Sequence, residues 1–199
     1  MTTEQFYALP MNERAVLVAK DVIAQVEAGR YTPKIGVYLI LNRGASTEQS
    51  DYLSEAIQNG LDVKENFHLI PNGCAACAIG ATILSCTHLG NKLKFSDLYA
   101  GSLDVKDLDK PVIHELLASV FSPEQLLMIE TAFEGYNISS YRYAKTLLRV
   151  DLEEYIIKKC NNFYKEHGGS IYFEKSVSVT DRLIAIYQNI IDNNGVFVP

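Results

Sequence analysis

From Cys74 to Cys86 the chain runs without a charge, and Ala75, Ala76, Ala78, Gly80 and Ala81 leave one side almost without bulk. A segment that is apolar nearly all round is buried rather than amphipathic. It is too short to cross a bilayer, which needs about 20 apolar residues. The pattern therefore predicts a buried small-residue central helix over about 73–88.

The flanking segments are amphipathic. Asn12 is read as the cap of a helix in which Val16, Ala19, Ile23 and Val26 recur at helical spacing, and Gly29 supplies a left-handed stop. Residues 36–41, Gly-Val-Tyr-Leu-Ile-Leu, suit a short strand, and Thr32-Pro33 is read as a break before it. A second helix is expected over 47–59, with Leu53 and Ile57 one turn apart and Gly60 as its end. Residues 61–71 form a connector, and 92–110 a long packed loop with Phe95, Leu98 and Tyr99 as anchors.

Pro111 opens a short helix carrying Leu116, Leu117, Val120 and Phe121. Ser122-Pro123-Glu124-Gln125 is the clearest helix start in the chain: Ser caps, Pro takes the first turn and Gln stands three residues on. Leu126, Ile129 and Phe133 then face inward, and Gly135 ends the helix. A further helix is expected from Asp151 to about Glu166, and residues 171–179 alternate loosely as a strand or covering loop. Thr180 is read as the cap of a last helix whose stripe is Leu183, Ile184, Tyr187, Ile190 and Ile191. The closing Val196-Phe197-Val198-Pro199 is too apolar to remain in water. The sum is a mainly α fold with at most minor β, one compact domain over 1–199.

Composition leaves this picture in place. Charged residues make up 21% and hydrophobic ones 48%, values ordinary for a globular protein. A net charge of −6 argues against non-specific nucleic-acid binding, which rests on counterion release by Lys and Arg. The first residues carry neither the basic nor the apolar region of a signal peptide, so a cytoplasmic location without membrane attachment is expected. Four cysteines are too few for a disulfide scaffold.

Three sets of residues carry candidate chemistry. Cys74 and Cys77, spaced Cys-x-x-Cys at the expected start of the central helix, would feel the positive end of its dipole and suit thiol-disulfide exchange. Core packing explains the same residues, since free Cys buries readily as a small hydrophobe. A zinc set of Cys74, Cys77, Cys86 and His88 or His68 is disfavoured: Cys77 and Cys86 point to opposite sides of an unbroken helix, so no metal and no cofactor is expected. Glu130 and Glu134 lie one turn apart, but without a partner at defined spacing they read, like Asp181 and Arg182, as solvated or dipole-complementing charges.

The third set differs in kind. Residues 136–149 hold three basic residues, no acidic one and three tyrosines, whereas 1–135 hold 10 basic and 17 acidic residues. Tyr136, Tyr141, Arg142, Tyr143, Lys145 and Arg149 combine stacking rings with phosphate-gripping cations, the equipment of a nucleotide contact. The alternative is a loop whose tyrosines pack inward. No nucleophile elbow, phosphate loop, dinucleotide fingerprint or zincin helix occurs, so a catalytic role is not favoured.

Two pieces, Cys77-Ala78-Ile79-Gly80-Ala81 and Asp181-Arg182-Leu183 with the terminal run from Asn189 through Asn194-Gly195-Val196-Phe197-Val198-Pro199, resemble signatures of uncharacterised proteins encoded by phages and prophages. The resemblance implies a small accessory protein acting in a bacterial host cell, through host interaction or against a defence. Residues 136–179 lie outside the resembling pieces. The expected function is therefore non-catalytic binding of a host protein or of a small anionic ligand such as a signalling nucleotide. A thiol-disulfide enzyme using Cys74 and Cys77, or a structural homo-oligomer joined through the apolar tail, stands as the alternative.

Overall fold

A computed structural model describes residues 1–41, 43, 45–90, 93–98, 102–103, 110–135, 162 and 176–198. Among these the fold is mainly α with a small sheet, as the periodicity predicts. The helices are α1 (Thr3–Ala8), α2 (Met11–Glu27), α3 (Thr47–Gln58), α4 (Ala78–Gly90), α5 (Pro111–Ala118), α6 (Pro123–Glu134) and α7 (Val179–Asp192). The strands are β1 (Tyr31–Pro33), β2 (Leu39–Ile40), β3 (Cys74–Ala76) and β4 (Ser102–Leu103), and single 3-10 turns occupy Phe67–Leu69 and Phe95–Leu98. The helix expected over 151–166, the segment 171–175 and the whole stretch 136–149 lie outside the described residues.

The expected central helix is two elements. Cys74–Ala76 is a strand, and the helix starts only at Ala78. In the sheet order β1-β3-β2-β4, β3 lies between β1 and β2. Tyr31, Thr32 and Pro33 pair with it in parallel, and Leu39 and Ile40 pair antiparallel on its other side. Cys-Ala-Ala is thus flanked on both edges and buried along its whole length. Thr32-Pro33 does not break the chain: Pro33 closes the short parallel edge strand, a position that tolerates its missing N–H.

Beyond Cys77, α4 is buried from Ala78 to Thr87 and packs against α1, α2, α5 and α6. Gly80 and Gly90 permit the closest approaches. A Cβ at Gly80 would fall on the Tyr38 carbonyl, and one at Gly90 on the Phe6 ring. The remaining helices wrap this axis by their apolar faces. Helix α2 opens at Met11, so Asn12 lies inside it rather than capping it; its buried stripe is Ala15, Val18, Ala19, Val22 and Val26, turned by a residue from the expected one, which leaves Val16 and Ile23 half-buried at its margin.

Helix α6 starts on the Ser122 cap and ends on left-handed Gly135 (φ +70°), as expected. The last helix is capped by Ser178 rather than Thr180; the Ser178 hydroxyl accepts from the Asp181 amide at 3.0 Å. The apolar tail closes over its own chain. Phe197 is fully buried; its N–H donates to the Gln125 side chain at 2.6 Å, and its carbonyl accepts from the same amide at 3.2 Å. Asn189 makes the same double contact with the Val198 backbone, at 2.8 and 2.6 Å. Among the described residues no single helix is long and apolar enough to cross a membrane.

Candidate functional site

The β3–α4 junction places Cys77 as the cap of the core helix. Its carbonyl accepts from Ala81 N–H at 2.9 Å, and its sulfur accepts from Gly80 N–H at 3.5 Å, the role a Ser or Asp side chain usually takes. Its own N–H donates to the Val37 and Tyr38 carbonyls at 2.9 and 3.1 Å, which ties the start of α4 to the chain entering β2. Cys77 is fixed from both sides.

Two glutamates meet this cysteine. Glu130 and Glu134 stand four residues apart on α6 and so on one face. That face is turned inward: both residues are buried, not solvated as the sequence suggested. The sulfur of Cys77 and one oxygen from each carboxyl group lie within 4.8 Å of one another. Among the described residues this is the one group of three convergent Cys, His, Asp or Glu donors.

Each acid is held differently. Glu134 accepts from the Gly36 N–H with both oxygens, at 3.2 and 3.0 Å, and the cationic Arg182 acts on it from α7. The Arg182 guanidinium donates to the Phe133 carbonyl at 3.1 Å and lies against Gly135, where a Cβ would strike it. Burial lowers the affinity of Arg182 for its proton, and the Glu134 charge acts the other way. Glu130 is raised to about 8 by burial and by the Glu134 charge, against weaker hydrogen bonds from the Cys77 side chain and the Ile79 amide. Burial first, and Glu130 second, hold the Cys77 thiol well above its usual range. At neutral pH the Cys77 thiol and the Glu130 carboxyl group therefore keep their protons.

A measurable pH dependence follows. Folded Glu130 keeps a proton that the unfolded chain gives up near 4.5, so its contribution to stability is full below that value and declines as the pH rises to about 8. The decline is limited to about 1.4 kcal/mol per pH unit. Chemical denaturation with a chelator present should show Glu130→Gln losing this component between pH 5 and 8. Parallel curves for the two proteins would reject a protonated Glu130.

The other sequence candidates are dispersed. Cys74 lies in β3 with its thiol donating to the Arg30 carbonyl at 3.3 Å, and burial pushes it up to about 12. Cys86 is buried within α4, and burial raises its thiol too. The His88 Nδ1 lies 2.9 Å from Asp21 on α2, and its ring stacks on Phe67 at 4.3 Å. Cys74, Cys77, Cys86 and His88 thus have separate neighbours. Tyr136, Tyr141, Arg142, Tyr143, Lys145 and Arg149 lie outside the described residues.

The sequence sets Cys77 beside Cys74, and the structure brings Glu130 and Glu134 to it. The Glu-x-x-x-Glu spacing was visible, but its partner and its cation come from distant parts of the chain. One signal was present: Glu130 and Glu134 each directly follow an inward-facing residue, Ile129 and Phe133. Comparison of the chain with protein-family models, with curated proteins and with solved structures finds no match.

Proposed function

We propose that this chain is a non-catalytic binding protein that takes a small anionic ligand, such as a signalling nucleotide, through residues 136–149. The observation that carries the reading is the charge segregation in the sequence, three cations and three tyrosines without an acid in an otherwise acidic chain. The stretch begins next to an anchored point, Gly135, which closes α6 beside the Arg182 guanidinium. The described thiols lend no support to exchange chemistry, because burial holds Cys74 and Cys77 in the protonated form. An accessory role for a phage in the cytoplasm of a bacterial host belongs to the same proposal and rests on the two resembling pieces, residues 77–81 and the C-terminal run.

Calorimetric titration against cyclic and linear nucleotides is expected to find one ligand with saturable heat. Arg142→Ala and Tyr143→Ala should each weaken it by roughly tenfold or more, the worth of one stacking or phosphate contact. Absence of heat with every nucleotide rejects this ligand class.

Capture of a host protein is a second reading, favoured by a different observation. An open groove of about 430 Å³ is lined by Leu9, Asn12, Glu13, Val16, Leu17 and Asn194. Met11 nearby in the chain, and Val196 and Val198 of the tail, are exposed. A partner docked there would be displaced by Val16→Glu or Leu17→Glu, and nucleotide binding would be unaffected. The homo-oligomer reading loses the most apolar residue of the tail, since Phe197 is committed to its own chain.

A further inference from the structure

We propose that Cys77, Glu130 and Glu134 form a site for one divalent transition-metal ion of the zinc type. The donors are one sulfur and two carboxylate oxygens, delivered by the fixed cap of α4 and by two positions one turn apart on α6. All three side chains are buried, and their donor atoms already lie within 4.8 Å of one another. Zinc bonds of about 2.3 Å to sulfur and 2.0–2.2 Å to oxygen place ligand atoms somewhat closer than that.

The chemistry of the donors selects the ion. Calcium and magnesium take oxygen alone, with six or more ligands. A thiolate with carboxylates favours zinc and its neighbours in the first transition row. Three protein ligands leave one tetrahedral position for water or another donor.

The surroundings match the ligands from outside. Gly80 N–H points at the Cys77 sulfur, and Gly36 N–H grips the Glu134 carboxylate. Outer contacts of this kind orient metal ligands and are needed for tight binding. Charge balances as well. With the ion bound, the thiol proton of Cys77 and the carboxyl proton of Glu130 pass to water, so a double positive charge replaces two protons. The cationic Arg182 acts on Glu134 from α7. Three ionised ligands without an ion would place three negative charges in a buried space.

The test uses the full chain stripped with a chelator, with Co²⁺ and Zn²⁺ as probes. One Co²⁺ per chain is expected, with the near-ultraviolet charge-transfer band of a cobalt thiolate. Zn²⁺ should displace it and raise the unfolding midpoint. Cys77→Ser should lose the band, and the near-isosteric Glu130→Gln should weaken Co²⁺ binding at least tenfold while remaining folded. Cys74→Ser and Cys86→Ser should keep the band. No band in the parent chain, a band that survives Cys77→Ser, or an unchanged affinity in folded Glu130→Gln would each overturn the proposal. Nucleotide titration is a separate measurement, so either reading can fail without the other.

Discussion

Gly80→Ala is expected to destabilise the protein by about 4 kcal/mol, the range of single substitutions with a specific steric cause. A Cβ at that position would land on the Tyr38 carbonyl oxygen and lie 2.8 Å from its carbon. Both colliding groups are backbone, so no rotamer change relieves the overlap. The Tyr38 carbonyl is also held, because it accepts from the Cys77 N–H at 3.1 Å. Relief requires α4 to draw away from β2, which would break that bond and move Cys77 relative to Glu130 and Glu134. Gly135→Ala provides the contrast. Its Cβ would meet the end of the Arg182 side chain, which can swing, and the remaining cost is the left-handed backbone, about 1–2 kcal/mol. Denaturant melts of the two variants should differ in midpoint in that order, and equal losses would show that α4 yields easily at Gly80.

Removal of the four residues after Gly195 is expected to have an effect of the same size. Phe197 is buried to 1% exposure among core side chains, and emptying such a site costs about 3–5 kcal/mol. The truncation also strips the Gln125 and Asn189 side chains of their backbone partners, and each such hydrogen bond is worth about 1 kcal/mol. For a chain of this size the unfolding midpoint should fall by roughly 10 °C or more. Because the tail packs on its own chain, the fall should not depend on protein concentration, and light scattering should give the same mass before and after truncation. A change in mass would mean that the tail holds two chains together. Phe197→Ala alone should account for most of the loss.

These two variants probe opposite ends of one construction. Gly80 sets the spacing between the core helix and the sheet. Phe197 closes the seam between α6 and α7, the two helices that carry Glu130, Glu134 and Arg182. A loosened seam reaches the cluster through α6, so the truncated chain should bind Co²⁺ less tightly than the parent chain.

Much of the fold was legible because helix signals are local. Ser122-Pro123 and Gly135 bound α6 in the structure as they do in the sequence, and spacing places the stripes of α2 and α7 to within a residue, with Val16, Ile23, Ile184 and Ile191 at their half-buried margins. Residues 74–76 were misread for a physical reason. Cys and Ala have little intrinsic liking for strands, and the segment is extended because Tyr31–Pro33 and Leu39–Ile40 pair with it from both sides. Tertiary pairing overrides local preference there. The cap of α7 moved from Thr180 to Ser178 because both residues suit the position, and only the geometry of the first turn distinguishes them.

By itself the sequence determined that Cys77 lies at the heart of the protein, in an uncharged run with room for close contact. It also determined that the cations and tyrosines of 136–149 stand apart from an acidic chain. Only the tertiary structure decided that Glu130 and Glu134 turn inward, toward that cysteine. Periodicity shows which residues share a face, but the medium beyond the face depends on what the rest of the chain brings there. Here it brings the cap of α4, the Gly36 amide and the Arg182 guanidinium, and two carboxyl groups that would be unremarkable in water become parts of a buried cluster.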